Sequence, residues 1–440
     1  MAALRILGTF IVALGIIRAG RAQNYELMEN PKAGDCRQIQ LEMNLSGEMR
    51  VTKDNKPMSL KMAAHAGHAF AERVLVSGTN AMVQKTARVY ETAKVTISIG
   101  EDRFEKTLRS ERRLLVAQHQ EGQTLVYSPA GLLTKEELEL TSEHFDTLTL
   151  AGLLPGKPVK IGDTWKVANE VTQALCHFEG LTSQDLTCKL EEVKDNAARV
   201  SFAGSAAGID LGALAKVTIQ GTYRFDRATK NLVALEWKQK DERDQGPASP
   251  ATTVELTIQL KRSPIEQPES LSDVGLISVP DGLDIPPSLL NLVYQHEDKA
   301  RFELSYPRDW QPVGRIRDHV VFRLLDRGDF VAQLTITPWD KAPNAAHMTS
   351  EEFKEAMRKS PGWEQGDVVQ EGEVPAENGR WIYRISAPGT MDGINVVQNF
   401  YLVAGPGGVQ IVMAFTMTPN QAEKLGTRDL VMVRGLEFKK

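Results

Sequence analysis

The sequence predicts an α+β protein, with an antiparallel β-rich domain over residues 39–261 followed by a smaller α/β/α sandwich over 289–440. Three observations predict it. Apolar and polar residues alternate with period two through most of the first 260 positions, and a Pro-rich stretch at 262–288 divides the chain. Beyond that stretch, strands that are apolar on nearly every position alternate with two capped helices.

Residues 1–22, MAALRILGTFIVALGIIRAGRA, read as a secretory signal peptide. Arg5 gives the positive start, Ile6 to Ile17 the apolar run, and Gly20-Arg21-Ala22 the small-x-small cleavage signal. The run is short of the ~20 apolar residues that span a bilayer. No other run approaches that length, so the cleaved chain is expected to be soluble and periplasmic or extracellular, with no membrane span. Removing this leader takes away three arginines and moves the net charge from -5 to -8. A mildly acidic chain with both signs interspersed is not a nucleic-acid binder.

Residues 23–38 are polar, carry Pro31 and Gly34, and are expected as a loose arm. Strict alternation then begins, with Ile39, Leu41, Met43 and Leu45 on one face and Gln40, Glu42, Asn44 and Ser46 on the other. Further strands are expected at 58–62, 88–99, 111–118, 124–127, 186–193, 199–203, 217–225, 232–238 and 254–260. Their separators carry Gly, Asn and Asp, the residues of hairpin turns. One helix, 134–145, opens with the capping box Thr134–Glu137. The segment 153–165 then packs a Pro155-Gly156 turn, a Gly162-Asp163 turn and Trp165 into a structural corner, which is a better role for Asp163 than ligand binding.

After the Pro-rich linker, hairpins are expected at 289–306 and 320–337, then a helix capped by Thr349 and Glu352 and ended by Ser360-Pro361-Gly362. Strands at 381–385, 396–403 and 409–416 follow. A closing helix starts at Thr418-Pro419 and stops at Gly435.

Cysteine usage is sparse, so stability must come from burial. Cys176 and Cys188, twelve apart around Gly180, are spaced so that a hairpin could join them in a disulfide; two buried free thiols are the alternative, and Cys36 is left over. Asp35 before Cys36 excludes a lipobox. Catalytic patterns are missing: Gly204-Ser205-Ala206-Ala207-Gly208 sets Ser directly after the first Gly, unlike a nucleophile elbow, and Cys176 and His177 face opposite ways if they lie on a strand. His65 and His68, three apart in a β-like region, do not share a face, and no zinc spacing occurs. No catalytic residue, metal or cofactor is assigned. Gly405 to Gly408 reads as a hairpin loop, and the tryptophans Trp310, Trp339, Trp363 and Trp381 as core.

The strings FELSYPRDW (302–310), QNFYLVAGPGGVQIVMAFT (398–416) and RGLEFKK (434–440), in this order of elements, resemble the PsbP and DcrB-like superfamily. The resemblance covers the last third of the chain. It implies a small α/β/α module used for assembly or binding, with no catalytic residues to carry over. The corner Pro158-Val159-Lys160-Ile161-Gly162-Asp163-Thr164-Trp165 resembles a P-V-x-x-G-D-x-W motif of secreted bacterial β domains.

Two functions fit these observations. One is a non-catalytic, extracytoplasmic binding or assembly protein that meets an envelope partner. The other is a carrier holding a lipid or other apolar ligand in a half-open sheet of the first domain, with the small-residue stretch 203–215 thinning one wall.

Overall fold

The computed structural model describes residues 23–439 apart from 54–55, 79–81, 121–122, 143–145, 299, 317 and 344–345. The signal peptide expected at 1–22 lies outside the described residues.

Thirteen strands build the first sheet: β1 (Cys36–Lys53), β2 (Lys56–Ser77), β3 (Val83–Ile99), β4 (Asp102–Thr107), β5 (Leu114–Gln120), β6 (Gln123–Tyr127), β7 (Thr164–Lys166), β8 (Gly180–Gln184), β9 (Thr187–Lys194), β10 (Ala197–Asp210), β11 (Ala213–Asp226), β12 (Asn231–Arg243) and β13 (Ala251–Pro264). Their spatial order is β6-β5-β3-β2-β1-β13-β12-β11-β10-β9-β7, with β4 on β3 and β8 on β10. Every pairing is antiparallel, and the first strand meets the last at the centre, Arg37 opposite Pro264 and Arg50 opposite Ala251.

Because side chains alternate faces along a strand, the register resolves the sheet into rows. One row runs Phe202, Gly221, Trp237, Ile258, Met43, Ala66, Val95; the next runs Gly204, Ile219, Gln239, Leu256, Leu45, Ala64, Ile97; a third runs Ala206, Val217, Asp241, Val254, Gly47, Met62, Ile99. These face inward. The opposite parity carries Glu42, Glu236, Lys238, Lys240 and Gln259, all exposed.

The chain between β6 and β8 covers the first row. Helix α1 (Lys135–Ser142) and helix α2 (Asn169–Leu175) place Leu138, Leu140, Val171 and Leu175 in one apolar cluster with Trp237 and Ile258. The capping box of α1 forms: the Glu137 N–H donates to Thr134 Oγ1 (3.2 Å) and the Thr134 N–H to Glu137 Oε2 (3.0 Å). The corner also forms, with Asp163 accepting the Lys160 N–H at 2.8 Å and Trp165 Nε1 donating to Leu153 O at 2.9 Å.

Residues 23–38 are tied down, unlike the loose arm expected. Tyr25 bridges Val159, Leu27 joins the core, and Glu29 is buried between Arg37 and Arg262. Likewise the Pro-rich stretch lies against the sheet. Leu271 and Leu276 pack on Ala71 and Ala87, while Arg73 and Lys85 donate to the carbonyls of Leu271 and Gly282, each at 2.8 Å.

Beyond it stand an eight-stranded antiparallel sheet and a three-stranded one built from Leu292–His296, Phe302–Tyr306 and Leu436–Phe438. The strand Gln410–Met417 is apolar at every position from Ile411 to Phe415 because both its faces are covered. Ile411, Met413 and Phe415 belong to the main core, while Val412 and Ala414 meet Phe353 and Met357 of the helix Ser350–Arg358.

The α+β expectation, with its α/β/α second half, is therefore corrected: 56% of the described residues are strand and 14% helix, a mostly-β fold of three antiparallel sheets. Two-sided apolarity implies cover on both faces but not helical cover. Sheet supplies much of it, and the helices after residue 287 run only four to nine residues.

Candidate functional site: a cavity inside the curled sheet

Past the covered rows, the inner face lines a cavity of about 500 Å³. Its apolar wall comes from Leu45, Met62, Val217, Val254 and Leu256 of the sheet, with Leu138, Leu175 and Phe178 from the cover. Leu125 near one sheet edge and Asp210 near the other line the same space, so the sheet curls around it. Leu292, Arg308 and Gln311 complete the wall.

These last residues belong to the part after 288, which reaches both sides of the curl. Arg308 Nη2 donates to Val126 O (2.6 Å) and the Val293 N–H to Leu133 O (2.9 Å). At the opposite side Arg323 donates to Pro247 O, and Gly212 lies so close to Gly328 that a Cβ on Gly212 would sit 2.3 Å from the Gly328 carbonyl. Further along the same inner parity, Leu60 and Met49 are only half-buried, Met58 is 38% exposed, and Phe104 on β4 is 46% exposed. The trough is apolar and open at this end.

Polar groups gather on one side of the cavity. Helix α2 ends in a Schellman turn, with His177 in the left-handed conformation (φ 55°) where glycine is usual: the Phe178 N–H donates to Gln173 O (3.1 Å) and the His177 N–H to Ala174 O (3.2 Å). The turn sends Phe178 into the core and brings Cys176, His177 and Glu179 to the cavity wall. Gly208 of β10 is fixed here, since a Cβ would lie 2.6 Å from the Phe178 ring. Burial raises the Cys176 thiol far above its ordinary value, and the Asp241 charge raises it further. That is the reverse of an activated nucleophile.

Asp241 stands out. It sits in an otherwise apolar row between Val217 and Val254, and burial pushes its carboxyl up to about 6 despite a 2.7 Å hydrogen bond from Gln239 Nε2; Asp210 also raises it, and Arg243 lowers it. Trp237 Nε1 holds Gln239 in turn, at 2.8 Å. Arg243 is committed to Asp210 at 2.7 Å. Burial likewise raises Glu179, whose carboxylate accepts the Gly212 N–H at 3.3 Å.

A stability consequence follows. The folded Asp241 keeps a proton that the unfolded chain, with its ordinary carboxyl, releases. Its contribution is thus intact below about pH 4, is lost as pH rises to about 6, and stays lost above. Asp241→Asn is expected to raise unfolding stability at pH 7.5 by on the order of 2 kcal/mol, with the gap closing towards pH 4. Urea unfolding of both proteins across this range checks it.

The cysteines proposed as a disulfide pair are free in this structure. Cys188 lies within β9, opposite Phe202 and Trp165, whereas Cys176 caps α2 at the cavity. His65 faces solvent beside Asn44 (2.9 Å) and His68 is buried on the other face, so they do not converge. Ser205 gives both its N–H and its hydroxyl to Asp185. Among the described residues no group of three or more His, Cys, Asp or Glu could hold a metal, and no helix is long and apolar enough to cross a membrane.

No protein-family model matches the chain, and no curated protein does. Solved structures similar to it include the cyanobacterial PsbP (CyanoP) of Synechocystis sp. PCC 6803, at 13% identity over 36% of this chain and 97% of that one, with a TM-score of 0.25. Protein PA94 of Pseudomonas aeruginosa is similar at 12% identity over 34% of this chain and 98% of that one, with a TM-score of 0.24. A lipovitellin structure is similar at 8% identity over 53% of this chain, with a TM-score of 0.30; the chain spans a quarter of its length.

Proposed function

We propose that this protein is a non-catalytic carrier that holds a lipid or other apolar molecule inside the curled first sheet, outside the cytoplasm. One observation carries the reading: an apolar inner face continues from the packed core into a cavity of about 500 Å³ that stays open at one end. Cavities of roughly 300–1,000 Å³ suit small-molecule ligands. An exposed contiguous apolar surface marks a binding site rather than a resting surface. The first 22 residues support the compartment. The last third, with its PsbP-like strings, serves in this reading to join the two sides of the curl and wall the cavity.

Native mass spectrometry of protein purified from its own cells tests the reading. A co-purifying apolar molecule, released on unfolding, is the expected result. A population that shows only the mass of the bare chain contradicts it.

A further inference from the structure

Resting on that reading, we propose that the ligand is an amphiphile whose polar end is a cationic amine, with its ammonium paired to Asp241 and its hydrocarbon lying along the apolar rows of the sheet. The charges lining the cavity divide between two sides. Towards β6, Lys135 is engaged by Glu139 on its own helix (3.1 Å), and Arg308 is spent on the carbonyls of Leu290 and Val126, both at 2.6 Å. Towards β10–β12 stand three carboxylates, Glu179, Asp210 and Asp241, with one guanidinium, Arg243, already held by Asp210. An anionic head group placed there meets like charge, whereas an ammonium meets three carboxylates that share one guanidinium.

Asp241 is the acceptor best placed for it. A carboxylate in an apolar wall is unfavourable unless a charge or a full set of donors meets it, and Asp241 has one fixed donor, Gln239. The chain from Trp237 through Gln239 fixes the orientation of that carboxylate, so the remaining acceptor positions are held ready rather than rotating freely. Low polarity around it strengthens the attraction for a cation that enters. Leu45, Val217, Val254 and Leu256 surround the same spot, so the tail of the same molecule finds apolar contact at once.

The test uses the full mature chain at pH 7.5 and three twelve-carbon probes below their micellar concentrations: dodecylamine, dodecanol and dodecanoate. Isothermal titration calorimetry is expected to rank dodecylamine roughly tenfold tighter than dodecanol, with dodecanoate weakest. In Asp241→Asn the advantage of amine over alcohol is expected to collapse to about twofold or less. Dodecanoate binding as tightly as dodecylamine, or an unchanged amine preference in the variant, overturns the inference. If all three bind equally, the carrier reading stands and the amine inference falls. If none binds, both fall.

Discussion

Replacing Glu29 by Ala is expected to destabilise the protein by about 3–5 kcal/mol, the range seen when one partner of a buried ion pair is removed. Glu29 is 1% exposed, and its carboxylate receives the Arg262 guanidinium, the Leu232 N–H and, at 3.7 Å, Arg37. Without it two buried cations face each other across a short gap. Arg262 already feels the pressure: burial lowers its pKa, Glu29 raises it, and Arg37 lowers it again. Urea unfolding reads the loss, and a change below about 1 kcal/mol, the ordinary scale of a surface pair, would mean that residues 23–38 do not hold the centre of the sheet as described.

Trp237→Ala carries the other large effect, again about 3–5 kcal/mol, from lost burial and the void left behind. The indole is fully buried, packs on Phe202 with ring centres 5.2 Å apart, and lies between Gly221 and Ile258 in the innermost row. Its void would border the row that carries Gln239, so a second effect is expected: Gln239 loses the donor that fixes it, and ligand binding weakens along with stability. Unfolding and titration of the same variant separate the two. Native-like stability would show that the first row is not the packed base of the cavity.

Much of the first sheet was legible because each strand has one wet face. Ile39 to Leu45 shows its alternation unaided, and the capping boxes at Thr134 and Thr349 fall where side chains alone place them. The second half misled for a physical reason. Continuous apolarity in Val409 to Phe415 reports that both faces are buried, and helix or sheet can bury them equally.

The site itself was harder to find. Asp241 lies just past the end of the strand expected at 232–238, yet the same period two continues through Trp237, Gln239, Asp241 and Arg243. Extending that alternation by three residues puts Gln239 and Asp241 on the same face as Leu235 and Trp237. Nothing in the sequence shows that β10 and β6, more than 70 residues apart, wall the same cavity, because the curl depends on long-range pairing. Glu29 was likewise hidden in a polar stretch, since a buried ion pair looks like a surface charge until its partners are known.

The central claim, an apolar ligand inside the curled sheet, is most directly tested by the fluorescence of N-phenyl-1-naphthylamine, an uncharged apolar probe, added to the protein and to two cavity-filling variants. Ala215→Trp places an indole in the cavity from a buried inner position, and Met62→Trp does so from a half-buried one that tolerates bulk more readily. Saturable enhancement with the native chain, competed by dodecanol and reduced at least roughly tenfold in affinity in folded Met62→Trp, is the predicted result. No saturable binding to the native chain, or equal binding by both folded variants, would contradict it.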